Sequence, residues 1–90
     1  MFYDRHDYSV IPKGTIKALN RYVNDRQETG GFLYAVLCND LRNAVSHADN
    51  DNIEVIPQIV MYIYNELPSN CWGSEKKVKS WLFPKEEMVA

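Results

Sequence analysis

The chain has 90 residues, of which 46% are hydrophobic and 24% charged, with four glycines and four prolines. This profile is typical of one small globular domain and leaves too little length for two. The formal net charge of -2 argues against bulk electrostatic attraction to duplex DNA or to an anionic membrane. Because a chain of this size buries only a thin core, we expect it to gain stability as a homo-oligomer.

The terminal segments and the cysteines favour a cytoplasmic protein without a metal. The first residues lack a basic segment followed by an apolar one, and no run approaches the roughly 18 apolar residues of a membrane span. Cys38 and Cys71 belong to no CxxC or Cys/His pair, which argues against a zinc site and a disulfide framework. We expect reduced thiols, no cofactor and a single domain over residues 1–90, with residues 1–10 and 84–90 as loosely held ends.

The first predicted helix runs from Pro12 to about Asp25, and a proline is favourable at such a start. Apolar residues recur there at helical spacing, namely Ile16, Leu19 and Val23. The opposite side carries a basic stripe formed by Lys13, Lys17 and Arg21. A stripe of this kind is usually a solvated face, and the alternative is that it contacts an anion.

The second predicted helix, from Phe32 to Ala48, has the strongest amphipathic pattern in the sequence. Its apolar stripe consists of Leu33, Val36, Leu37, Leu41, Ala44, Val45 and Ala48. The centre of this stripe passes close to Asp40, and Asn43 and His47 fall along the same edge.

A turn over residues 48–52 precedes the third predicted helix. Pro57 fits the first turn of that helix, and the alternative is a distorted helix that begins near Asn52. The residues expected on its buried face are Ile56, Ile59, Val60, Ile63, Tyr64 and Leu67. The fourth helix covers about residues 75–83 and is capped by Ser74. The sequence therefore predicts an all-α bundle of about four helices.

Asp40 is the most unusual residue of the predicted second helix, because a carboxylate within an apolar stripe loses hydration and needs hydrogen-bond donors. In one interpretation the donors are structural: the Trp72 indole, the amides around Gly73-Ser74 or the amino end of the fourth helix. In the other interpretation, Asn39 and Asp40 lie at the mouth of a pocket and bind donor groups of a base or a ribose.

Catalysis and a phosphate-binding loop receive weaker support. A cysteine enzyme would need Cys38 or Cys71 activated by His47, but Cys71 follows no recognisable nucleophile motif. Gly30-Gly31 lacks the GK[ST] ending of a Walker motif. We therefore expect a protein that is not an enzyme. Contacts to an anion would come from basic side chains of the first and fourth helices, including Lys77.

Two runs of the sequence form a distinctive signature: GGFL-x-AVL-x-NDL over residues 30–41 and YN-x-x-P-x-x-CWGS over residues 64–74. Over about residues 11–82 the chain resembles a group of short uncharacterised proteins of tailed phages and prophages. It departs from them at Cys38, where a polar residue is usual, and in its additional amino-terminal stretch. The resemblance implies a phage protein that acts in the cytoplasm of an infected bacterial host.

A phage origin favours a small accessory protein that interferes with host defence by binding. The function that the resemblance implies is an anti-defence protein that sequesters a small nucleotide-type immune signal without catalysis. An aromatic ring would stack on a base, polar side chains would bind its edges, and basic side chains would neutralise phosphate. The residues expected to bind the ligand are Asn39, Asp40, Asn65, Trp72, Lys17, Arg21 and Lys77.

Two other functions stay open at this point. Residues 31–70 contain five acidic side chains, and Arg42 is the only lysine or arginine there. These acidic residues are Asp40, Asp49, Asp51, Glu54 and Glu66. Such a surface could dock on a host defence protein or a CRISPR effector in place of nucleic acid. The other alternative is a phage accessory protein that binds no ligand.

Overall fold

A computed structural model describes residues 7–84, and within this range the chain is all-helical, without strands. The six α-helices are α1 (Lys13–Asp25), α2 (Gly31–Leu37), α3 (Leu41–His47), α4 (Asn50–Ile53), α5 (Ile56–Glu66) and α6 (Glu75–Leu82). Two 3-10 turns, Tyr8–Val10 and Ser69–Cys71, precede α1 and α6. Of the ends expected to be loose, residues 1–6 and 85–90 lie outside the described range. None of the described helices has the length and apolar character needed to cross a membrane.

Three of the predicted helices correspond closely to α1, α5 and α6. Pro57 lies in the first turn of α5, where the helix requires no hydrogen bond from a backbone N–H. Ser74 caps α6, because its side-chain oxygen accepts a hydrogen bond from the Lys77 amide at 3.2 Å. These starts follow from local chemistry that is visible in the sequence.

The second predicted helix is wrong as a single element, since the chain breaks it into α2 and α3. Asn39 takes the left-handed conformation with φ 63°, which ends α2. The Asn39 amide then donates to the Val36 carbonyl at 3.0 Å, and the Asp40 amide donates to the Ala35 carbonyl at 2.8 Å. This pair of bonds is a Schellman motif, and asparagine is one of the few residues that tolerate its left-handed position. The Asn39-Asp40 pair thus ends one helix and begins the next.

The segment predicted as a turn before the third helix contains the short helix α4. Asp49 caps this helix, because its carboxylate accepts from the Asn52 amide at 2.8 Å and from the Asp51 amide at 3.1 Å. The alternative of one distorted helix that begins near Asn52 is not realised, because α5 begins at Ile56. A bend at Val55 separates the two helices.

The core joins α1, α5 and α6 to the end of α2. Its most deeply buried hydrophobic side chains are Leu19, Tyr22, Leu37, Ile59, Cys71 and Val78, each at most 1% exposed. The Tyr22 hydroxyl donates to the Cys71 carbonyl at 2.6 Å, and the Trp81 indole donates to the Tyr22 carbonyl at 2.8 Å. These bonds connect α1 to the segment around α6 within the core.

Two of the residues expected on the buried face of α5 are exposed instead. Val60 is 43% exposed and Tyr64 is 64% exposed, whereas Ile59, Ile63 and Leu67 are buried. The reason is that so small a bundle covers only one side of α5. The consequence is an apolar surface on α5 within the described part of the chain.

Candidate functional site

A cavity of about 470 Å³ opens beside the α2–α3 hairpin and the start of α6. This volume lies within the roughly 300–1,000 Å³ typical of small-molecule sites. We call it the hairpin cavity, and its lining residues are Gly31, Tyr34, Ala35, Cys38, Asp40, Asn43, His47 and Glu75. A larger depression of about 530 Å³ borders the end of α1, but most of the side chains around it are exposed. The hairpin cavity collects more titratable groups with perturbed pKa values, which makes it the better candidate.

Asp40 reaches this cavity as the N-cap of α3. Its carboxylate accepts from the Asn43 amide nitrogen at 3.2 Å and from Asn43 Nδ2 at 2.6 Å. These two hydrogen bonds, the side-chain one first, lower the pKa of the Asp40 carboxyl, so the group is ionised at neutral pH. The expectation that Asp40 lies within an apolar stripe is therefore wrong, because the break at Asn39 places it at a helix start. Its donors belong to α3 rather than to Trp72 or to the loop before α6.

His47 is the last residue of α3. It lines the cavity together with Asn43, which belongs to the first turn of the same helix. Its Nδ1 is 2.9 Å from the Asn43 carbonyl oxygen. Because a carbonyl only accepts hydrogen bonds, Nδ1 carries the proton, and in the neutral ring Nε2 is left as an acceptor. The imidazole lies close to Gly31, where an added Cβ would meet Cδ2 at 3.3 Å. A glycine at the start of α2 therefore leaves room for the ring.

Tyr34, Cys38 and Glu75 form the other side of the cavity. The Tyr34 hydroxyl donates to Glu75 Oε2 at 3.3 Å, which links α2 to the first turn of α6. Burial, followed by the neighbouring Cys38 and Glu75, raises the pKa of the Tyr34 hydroxyl to about 12. Burial also raises the pKa of the Cys38 thiol; the Tyr34 hydroxyl opposes this shift, and the Glu75 and Asp40 carboxylates add to it. Both groups are therefore protonated at neutral pH.

The cavity brings Cys38, His47 and Asp40 together, which are the residue types of a cysteine enzyme. Their arrangement does not favour that chemistry, since nucleophilic catalysis needs a thiolate and the pKa of Cys38 is raised. His47 uses Nδ1 for the Asn43 carbonyl, and Asp40 bonds to Asn43 rather than to the imidazole. Cys38, His47 and Asp40 are thus not coupled to one another as a proton relay.

Two of the predicted ligand residues, Asn39 and Trp72, flank the cavity without lining it. Asn39 is exposed in the turn that precedes Asp40. The Trp72 loop is attached to the same turn, because the Gly73 amide donates to the Leu37 carbonyl at 2.7 Å. The Trp72 ring makes an edge contact with Tyr64 at 5.9 Å between centroids. The indole N–H is buried and has no hydrogen-bond partner among the described residues.

The other four predicted ligand residues lie elsewhere. Asn65 Nδ2 donates to the Tyr8 hydroxyl at 2.9 Å, which fastens the amino-terminal turn to α5. Lys17 and Arg21 are exposed on α1, as expected for a solvated face. Lys77 lies on α6, and its Nζ donates to the Ser69 carbonyl at 3.4 Å. Of the seven predicted residues, Asp40 alone lines the hairpin cavity.

The sequence places Asn43 and His47 on the same edge as Asp40, but neither they nor Tyr34 and Glu75 are among the predicted ligand residues. Asn43 and His47 had a signal, since they follow Asp40 at spacings of one and two helical turns. Glu75 had none, because its approach to Tyr34 depends on how α6 packs against α2. Tyr34 directly follows Leu33 of the apolar stripe, and its sequence position alone does not separate a core ring from a ring of the site.

The described residues contain no group of three or more His, Cys, Asp or Glu side chains that could hold a metal ion. Comparisons with protein-family models, with curated proteins and with solved structures give no match to this chain. The candidate site is therefore assigned from its geometry and its chemistry.

Proposed function

We propose that the protein is a non-catalytic binding protein that captures a small nucleotide-type molecule in the hairpin cavity. The observation that carries the proposal is a cavity of small-molecule size in which an ionised Asp40 and the His47 ring, at the two ends of α3, converge with Glu75 of α6. A few polar groups around a concave, partly apolar surface are the usual form of a small-molecule site. The hydrogen-bonding edges of a nucleobase and the hydroxyls of a ribose suit such a set of groups.

Capture without conversion is supported by the state of the candidate nucleophile. Burial raises the pKa of the Cys38 thiol, and the two nearby carboxylates oppose formation of a thiolate. The resemblance to short phage proteins makes an immune signal of the bacterial host the first ligand class to test. Sequestration would then act by mass action, one ligand held for each site.

The proposal is tested by native mass spectrometry of the full chain with cyclic oligonucleotides, ADP-ribose and simple nucleotides. We expect one panel member to be retained in stoichiometric amount and to be released unchanged after denaturation. Asp40→Asn should weaken retention at least tenfold, because asparagine preserves the cap but removes the charge. Asp49→Asn is the matched control, since Asp49 caps α4 outside the cavity. A protein that retains none of the panel contradicts the proposal.

A second copy of the chain is the proposed partner for the exposed side of α5. From Ile56 to Asn65 this helix carries no charged side chain, although Val60 and Tyr64 are exposed. A two-fold interface places the same face against itself, so an uncharged apolar face avoids juxtaposed like charges. The small core supports the same proposal, because subunit contact would add apolar burial.

A further inference from the structure

The polar atoms of the hairpin cavity are predominantly hydrogen-bond acceptors. The Asp40 and Glu75 carboxylates can each accept about four hydrogen bonds, and Asn43 supplies two of those that Asp40 needs. His47 adds Nε2 as an acceptor in the neutral ring, because Nδ1 points to the Asn43 carbonyl. The Tyr34 hydroxyl directs its proton to Glu75, so its oxygen faces the Cys38 thiol and a ligand as an acceptor. The cavity therefore matches a ligand that donates hydrogen bonds.

The charge around the cavity disfavours an anionic ligand group. Neither lysine nor arginine occurs among the described lining residues, whereas Asp40 and Glu75 both carry carboxylates. Lys79 forms an ion pair with Glu75, with Nζ at 3.9 Å from Oε2, and the two side chains are 60% and 64% exposed. Exposed ion pairs of this length are screened by solvent and neutralise little. A phosphate placed in the cavity would therefore meet two carboxylates, and the lining residues offer it neither a lysine nor an arginine.

We infer that the hairpin cavity binds the nucleoside part of its ligand, selects a base with an exocyclic amine, and leaves phosphate outside. This inference rests on the proposed function and names the part of the ligand that is recognised. Adenine and cytosine present an amine where hypoxanthine and uracil present a carbonyl oxygen. An amine donates to Asp40 or Glu75, while a carbonyl oxygen at the same place faces a carboxylate. A site whose polar groups accept from a donor discriminates against an analogue that lacks it, and less strongly where, as for the 64% exposed Glu75 side chain, water can replace the lost partner.

Calorimetric titration of the full chain with two matched pairs of nucleosides tests the inference. We expect adenosine to bind at least tenfold more tightly than inosine, and cytidine at least tenfold more tightly than uridine. Adenosine 5′-monophosphate should bind no more tightly than adenosine, because its phosphate gains no cation. Glu75→Gln should reduce the adenosine preference to less than threefold, whereas Glu66→Gln, at the end of α5 outside the cavity, should preserve it.

The possible failures separate the two proposals. Equal binding within each nucleoside pair, or a tenfold gain from the phosphate, overturns the inference and leaves the binding function standing. If no nucleoside binds while a cyclic oligonucleotide or ADP-ribose does, the inference is likewise overturned and the proposed function survives. If no nucleoside and no member of the nucleotide panel binds, both the proposed function and the inference are overturned.

Discussion

The His47 imidazole lies against the backbone of Gly31, where a methyl group would meet Cδ2 at 3.3 Å. These residues are the last of α3 and the first of α2, so their contact closes the open end of the hairpin. The contact also holds the ring beside the cavity while Nδ1 bonds to the Asn43 carbonyl. The second glycine of the GGFL run therefore has a steric role in the candidate site.

Gly31→Ala should displace the His47 ring with little effect on the fold. The added methyl would require a shift of a few tenths of an ångström, and the exposed ring can swing outward. We expect the free energy of unfolding to change by no more than about 1 kcal/mol, because alanine also favours helix. The NMR resonances of the His47 ring should shift, and the affinity for adenosine should fall at least threefold.

Gly30→Ala is the control for this substitution, because a Cβ at Gly30 meets nothing within 4 Å. It should leave the His47 resonances in place. In a His47→Ala background, Gly31→Ala should no longer change the affinity, since the two residues act through one contact. An equal effect of Gly31→Ala with and without the imidazole would contradict the steric account.

Substitutions of Asp40 should separate its capping role from its charge. Asp40→Ala and Asp49→Ala each remove a helix N-cap and should both destabilise the protein. For Asp49→Ala the loss of the cap costs about 1 kcal/mol. Asp40→Asn should retain most of the stability at neutral pH. Because hydrogen bonds to Asn43 lower the pKa of Asp40, its charge stabilises the fold above the ordinary carboxyl pKa, and this contribution is lost as the pH falls through the folded value.

Urea unfolding at several acidic pH values measures these effects. Stability should fall less steeply with acid in Asp40→Asn than in the unmodified protein. Identical acid profiles for the two proteins would show that the Asp40 charge contributes nothing to the fold.

Tyr22→Phe should be the most destabilising conservative change in the core. The substitution removes the hydroxyl that donates to the Cys71 carbonyl at 2.6 Å and leaves this buried acceptor unpaired. We expect a loss of about 1–3 kcal/mol in urea unfolding. Tyr62→Phe removes a more exposed hydrogen bond to Asn20 and should cost no more than about 0.5 kcal/mol. Equal costs for the two variants would contradict the description of the core.

Alkaline pH should destabilise the protein through its buried Cys71 thiol. Burial raises the pKa of this thiol from 9.0 to about 11, so the unfolded chain loses the proton first. The contribution of the protonated Cys71 thiol to the stability of the fold is therefore complete below about pH 9 and is lost as the pH rises toward 11. Cys71→Ala should flatten the decline between these pH values in chemical unfolding, although it also lowers stability at neutral pH. An unchanged slope would indicate that another group controls the alkaline transition.

Val60→Lys should weaken self-association through α5. A lysine on the uncharged face would place two positive charges against each other across a two-fold interface. Sedimentation at several protein concentrations should show a shift toward the monomer of at least tenfold in the dissociation constant. Asn24→Lys, on the exposed side of α1, is the control and should leave association unchanged. A monomeric parent protein would contradict the proposed interface.

Local signals predicted the helices that begin with clear capping or proline chemistry. The starts of α1, α5 and α6 follow from Pro12, Pro57 and Ser74. The break between α2 and α3 was missed because helical periodicity continues through it. Asn39 and Asp40 carried the missing signal, as one can end a helix and the other can begin one. The pattern also predicted burial of Val60 and Tyr64, which depends on how many neighbours the small bundle supplies.

The candidate site was predictable only in part. Asp40 was identified because a carboxylate among apolar residues needs partners, although its true partner, Asn43, lies within its own helix. Glu75 reaches the cavity through the packing of α6 on α2, and the local sequence does not predict that contact. The expectation of a basic group beside the ligand also depended on packing, and Lys17 and Arg21 lie on α1 instead.

NMR titration of the full chain with adenosine tests the central claim most directly. If the hairpin cavity is the binding site, saturable amide shifts should be largest at Gly31, Cys38 and Asn43 and should disappear in Asp40→Asn. Asp49→Asn should preserve them. Shifts centred on Arg26 and Phe83, beside the larger depression, or the absence of saturable shifts would contradict a nucleoside site in the hairpin cavity.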